Sequence, residues 1–187
     1  MRRVAVLIVV LAVPASAIAL ELVTNGAFES DLAPAWKEDA LGAAASVSRS
    51  TGYDGDPDYE VLVQKGTGNG HSTLSQIIVI PSVDVTVSLS TKIEVSATSG
   101  GPWAGAGVAL HYEDSLGETL GTTMIVGRTA DCPWVDTPTL HMIPAPDQEW
   151  NSVQLTVGDE LANLPGVDMM AVHQIRVSLF GQVGGDC

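Results

Sequence analysis

An antiparallel two-sheet β-sandwich with little helix is the fold this sequence predicts, on three observations. Residues Val83–Val95 alternate apolar and polar side chains almost without error. Weaker copies of that alternation recur along the chain, rich in Val and Ile. Gly, Pro, Asn and Asp separate the copies, which is the punctuation of strands rather than helices.

Period two puts Val83, Val85, Val87, Leu89, Ile93 and Val95 on one face and Asp84, Ser88, Lys92 and Glu94 on the other. Such a strand buries one face and wets the other. Tyr59-Val61-Val63, Leu74-Gln76-Ile78-Ile80 and Val108-Leu110-Tyr112 read the same way. So do Trp150–Val157 and Val172–Phe180, the latter with Ile175, Val177 and Leu179 inward. Asp114-Ser115-Leu116-Gly117 is hairpin-turn chemistry, with Asp first and Gly last. The best helix candidate is short: Asp159 caps a turn that Pro165 stops. Two packed sheets follow.

The chain begins with Arg2 and Arg3, an apolar run Val4–Val13, then Pro14-Ala15-Ser16-Ala17-Ile18-Ala19. A basic start, a short apolar core and alternate small residues predict a secretory signal peptide over 1–19, cleaved after Ala17 or Ala19. The run is shorter than the roughly 20 residues that span a bilayer. The expected product is therefore a single secreted domain, 20–187, in the extracellular space, periplasm or at the cell surface, with no membrane insertion.

The formal charge is −14, from 8 Lys+Arg and 22 Asp+Glu. Loss of Arg2 and Arg3 takes it to 6 − 22 = −16. Such a field repels phosphate backbones and argues against nucleic acid. Cations and neutral ligands such as sugars stay open. Export permits a disulfide, and the two cysteines predict Cys132–Cys187; free thiols, or Cys187 paired outside this sequence, are the alternatives.

Leu22-Val23-Thr24-Asn25-Gly26-Ala27-Phe28-Glu29-Ser30, then Trp36, resembles the N-G-x-F-E…W opening of carbohydrate-binding modules with a galactose-binding-like β-jelly roll. Leu74–Pro81 resembles their L-x-Q-x-V-x-V-P strand, Val108–Gly117 their strand and D-x-x-G hairpin, and Trp150 the Trp that starts a late strand. The resemblance implies a jelly roll and a glycan ligand. It also implies a structural calcium at Glu29, with an acid near a closing strand. That strand is absent before Cys187, so the domain is expected to be truncated at its C-terminus.

No chemistry stands out. There is no G-x-S-x-G, no H-E-x-x-H, and the four histidines are scattered. The chain is expected not to be an enzyme. Asp54, Asp56 and Asp58 alternate in one loop and are candidates for calcium, or a solvated turn. Sugar binding needs flat aromatic faces beside hydrogen-bonding groups. Trp103 and Trp134 occupy loop contexts, and Tyr53 and Tyr59 flank the acidic loop. These four are the candidate platform. Exposure of the two tryptophans beside polar groups would favour a glycan-binding module. Their burial would favour a structural or protein-interaction module of an extracellular or envelope protein.

Overall fold

The computed structural model describes residues 8–12, 21–51, 57–96 and 102–184. Among the described residues eleven strands run in order: β1 (Ile8–Ala12), β2 (Lys37–Leu41), β3 (Ala45–Thr51), β4 (Tyr59–Lys65), β5 (Gly70–Val79), β6 (Thr86–Lys92), β7 (Ala104–Glu113), β8 (Thr119–Arg128), β9 (Leu140–Pro144), β10 (Trp150–Thr156) and β11 (Gln174–Val183). One helix, α1 (Val157–Ala162), and a single 3-10 turn lie between β10 and β11. The fold is all-β, as its periodicity predicts.

Six strands form the main sheet in the order β2-β5-β11-β7-β8-β9. A second layer consists of β1-β6-β10 and the hairpin β3-β4. Alternation decides what lies between the layers. Leu74 and Ile78 of β5, Ile175, Val177 and Leu179 of β11, and Val108, Leu110 and Tyr112 of β7 are buried in one cluster. Val87 and Leu89 of β6 and Val61 and Val63 of β4 meet them from the second layer. The long alternating run is shorter as a strand than its pattern predicts. It pairs over 86–92 and ends in a bridge from Ile93 to Asp147. Val83 and Val95 still pack against the core.

The N-G-x-F-E segment is a turn, with Asn25 at φ +54° and Phe28 at +55°. Phe28 and Trp36 are buried, with ring centroids 5.3 Å apart. Gln76, on the inner face of β5, ties this segment down. Its amide oxygen accepts from Thr24 N (2.8 Å), and its amide nitrogen donates to Thr24 O (2.9 Å) and Ala35 O (3.1 Å). In the β7–β8 hairpin, Asp114 Oδ1 accepts from the Leu116 and Glu118 amides, and Gly117 takes φ +85°. Those backbone donors hold the Asp114 carboxyl below its usual range.

Two expectations are corrected. The helix is capped at Thr156 with no side-chain bond, not at Asp159, which falls in its first turn. The strand pairs are antiparallel except for β8 and β9, which are parallel. A parallel return needs a crossover, and residues 129–139 supply one. The side chain of Cys132 is buried in a second apolar cluster with Trp134 and Phe180, and Cys187, its expected disulfide partner, lies outside the described residues.

Within the segment read as a leader, the backbone of β1 pairs with β6, from Ile8↔Ser90 to Ala12↔Thr86. A Val- and Ile-rich run suits an open sheet edge. Removing residues 1–19 is therefore expected to bare the β6 edge. Amide hydrogen exchange across 86–90 should speed up by tenfold or more relative to the full chain. Unchanged protection there would show that β1 does not cover that edge.

Candidate functional site

The outer face of the main sheet carries a groove of about 820 Å³. Period two builds its floor. If Ile175, Val177 and Leu179 point inward, then Arg176, Ser178, Phe180 and Gln182 point outward. Cross-strand register sets their neighbours: Arg176 lies opposite His111, Ser178 opposite Ala109, and Phe180 opposite Thr73 of β5. On β8, Thr122 and Met124 continue the same face.

The crossover 129–139 supplies the wall. It leaves β8 at Arg128 and returns at Leu140, opposite Thr122, so it runs the length of the sheet face. Trp134 anchors it. The indole is 9% exposed, packs edge-on to Phe180 at 5.7 Å, and lines the groove. Gly105 makes this seat possible, since a Cβ there would stand 2.3 Å from the Trp134 ring. Arg128 donates to the Trp134 carbonyl, and Thr122 N bonds Thr139 O (2.8 Å), fixing the far end.

Two polar groups in the groove are unusual. Ser178 is 2% exposed, and its hydroxyl has no hydrogen-bond partner. A buried hydroxyl left alone costs about 1–3 kcal/mol; this oxygen is closed to solvent, so a ligand in the groove does not reach it. His111 Nδ1 is hydrogen-bonded to Thr122 Oγ1 (3.1 Å). Burial, then Arg176, push its pKa down to about 4, against a smaller opposing pull from Glu113. The imidazole is thus neutral at pH 7, able to donate and to accept.

That shift has a sign. Folding favours the neutral ring, so its stabilisation is complete above the unfolded value near 6.5. It is lost as pH falls from 6.5 towards 4. The contribution is on the order of 2–3 kcal/mol. His111→Gln is expected to flatten the stability profile over that window in urea titrations at pH 7 and pH 4.5. A slope unchanged by the substitution would show that other groups carry the acid sensitivity.

The predicted site residues separate. Trp134 is in the groove wall, and Trp103 is half-buried against it, centroids 5.4 Å apart at 68°. The pair is therefore edge-on rather than coplanar, and the burial criterion splits. Tyr59 stands in β4 of the second layer, where the Arg49 guanidinium covers its ring at 3.5 Å. Tyr53, Asp54 and Asp56 lie outside the described residues. Glu29 and Asp58 are exposed. Calcium takes six to eight oxygens, and among the described residues no three His, Cys, Asp or Glu side chains gather to hold a metal. Among the described residues, no helix is long and apolar enough to cross a membrane.

Arg176, Ser178, Phe180 and His111 were missed in the sequence, although the polar half of each alternation marked them. The histidines are also less isolated than their spacing suggests. His71 meets Asp39 at 3.1 Å, and His141 meets Glu160 at 2.9 Å.

No family model matches the sequence, and no curated protein matches it. Among solved structures, the enzymatically active domain of tailspike protein 4 from bacteriophage CBA120 is similar over 88% of this chain and 20% of its own. The identity is 14% and the TM-score 0.32, so this chain spans about a fifth of that structure's length. The expectation that the chain is not an enzyme is corrected by this neighbour, which is an enzymatically active domain. The missing motifs leave catalysis unassigned rather than excluded.

Proposed function

We propose that this domain is a secreted, glycan-binding β-sandwich of the carbohydrate-binding-module type and that its ligand lies in the outer groove. One observation carries the reading. The groove sets an aromatic surface, Trp134 and Phe180, beside hydroxyl and amide groups, Thr73 and Gln182. Pyranose rings offer apolar faces edged by hydroxyls and match both surfaces. The volume falls within the roughly 300–1,000 Å³ of small-ligand sites.

The test is a glycan array with polysaccharide pull-downs, in calcium and in chelator, on the wild type and Gln182→Ala, which removes a half-buried amide of the groove floor. Stability is expected to change by no more than about 0.5 kcal/mol. Glycan affinity should nevertheless fall about tenfold. A loss of binding without a loss of stability distinguishes a ligand contact from a packing role. Loss of binding in chelator would support a cation in the Asp54–Asp58 loop.

The second reading, a structural or protein-interaction module, is favoured by the burial of Trp134. A folded wild type that binds no glycan across a broad panel would select it.

A further inference from the structure

The groove reading gives the ligand a place but no charge. Resting on that reading, we infer that the ligand is an acidic oligosaccharide: one sugar lies against Trp134 and Phe180, and the carboxylate of another, uronate-type unit pairs with Arg176.

Charge distribution comes first. The chain holds 22 acids against 8 basic residues, yet no Asp or Glu is among the residues lining the groove, and Arg176 is. The Arg176 guanidinium is already paired with Glu113, which stands behind the lining, so the face is locally neutral where the chain as a whole is acidic. At physiological salt, charges beyond about 8 Å are largely screened, and a carboxylate entering here meets the remaining Arg176 donors without facing an unpaired acid of the lining.

The second argument is the way Arg176 is held. Its Nε donates to Glu113 Oε1 at 2.6 Å, and Nη2 to Thr119 Oγ1 at 3.3 Å. Glu113 is 2% exposed, and its other oxygen accepts from Gln174 (2.9 Å). A buried carboxylate bonded on both oxygens fixes the guanidinium by one edge. Nη1 has no acceptor among the described residues, and the side chain is about one-third exposed, at 34%. A planar fork held by one edge with donors to spare is suited to a carboxylate. His111, opposite Arg176 in register, adds a ring that hydrogen-bonds without adding a like charge.

Spacing sets the length. Arg176 and Phe180 lie four residues apart on one face of β11. At a strand rise of about 3.3 Å per residue, that is roughly 13 Å. The two contacts therefore fall on different units of one saccharide chain.

The experiment uses the full purified protein and three probes, pectate, alginate and hyaluronate, each before and after chemical reduction of its carboxyl groups. At least one native probe is expected to bind, and its reduced form to bind about tenfold more weakly or worse. Arg176→Gln should lose about tenfold on the native probe and nothing on the reduced one. Arg176→Lys, which keeps the charge beside Glu113, should fall between. If Arg176→Gln does not fold, carboxyl reduction of the ligand alone decides. Equal binding of native and reduced forms, or glycan binding confined to neutral sugars, overturns the acidic assignment and leaves the glycan reading standing. No binding to any probe or array glycan overturns both.

Discussion

Trp134→Ala is expected to cost the fold about 3–5 kcal/mol, the range for a buried tryptophan lost to a cavity, and to abolish ligand binding in the groove. The indole is the centre of the second apolar cluster, touching Trp103 and Phe180 edge-on. It also pins the crossover to the sheet, because residues 129–139 have few other apolar anchors over this face. Aromatic edge contacts add to the area buried, so the loss exceeds simple transfer. A companion variant separates cavity from position. Gly105→Ala keeps the tryptophan but puts a methyl 2.3 Å from its ring, which forces the indole off its seat. The stability cost should be smaller, about 1–3 kcal/mol, with binding lost to the same degree. Urea denaturation gives the first quantity, and tryptophan fluorescence shifted towards longer wavelength reports the displaced ring. If Trp134→Ala costs less than about 1 kcal/mol and ligand affinity survives, the crossover does not form the wall.

Alternation carried most of the fold. The buried faces of β5, β7 and β11 were legible because most inward residues are aliphatic or aromatic and many of their neighbours polar. Period two then fixes orientation without further information. Strand partners were not legible. Nothing local says that β11 inserts between β5 and β7, or that β9 returns parallel, since those choices are settled by long-range packing. The site was legible by halves. Trp134 stood out as an aromatic in a loop, whereas Arg176, Ser178 and Phe180 were the discarded phase of a strand read for its core. Tyr59 was chosen as a tyrosine beside an acidic loop, and only the fold shows Arg49 stacked on its face. The pairing of Cys132 with Cys187 followed from counting alone, and the fold adds that Cys132 is buried beside Trp134.

Glu160→Ala is expected to be the most damaging single change outside the apolar core, at about 3–5 kcal/mol. Glu160 sits in α1 and is 7% exposed. One oxygen, Oε2, accepts from Thr123 Oγ1 (3.2 Å) and meets His141 Nδ1 (2.9 Å). Tyr112 donates in turn to Thr123 Oγ1 at 3.0 Å. Burial pushes the Tyr112 phenol well above its usual range, the Thr123 bond opposes that shift, and the Glu160 carboxylate adds to it. The chain joins α1 to β7, β8 and β9, the strands that support the upper end of the groove. Truncation removes the acceptor and strands two buried or half-buried partners, Thr123 and His141, and broken buried pairs cost this much. Glu160→Gln keeps an acceptor oxygen and should cost about half as much. Tyr112→Phe, which loses only the outermost bond, should cost about 1 kcal/mol. If the groups act as one network, Tyr112→Phe will cost less in the Glu160→Ala background than in the wild type, by at least about 0.5 kcal/mol. Additive costs in urea denaturation would reduce the network to separate contacts. The same variants predict weaker ligand binding without touching ligand, because Thr122 and Leu140, which line the groove, are the chain neighbours of Thr123 and His141.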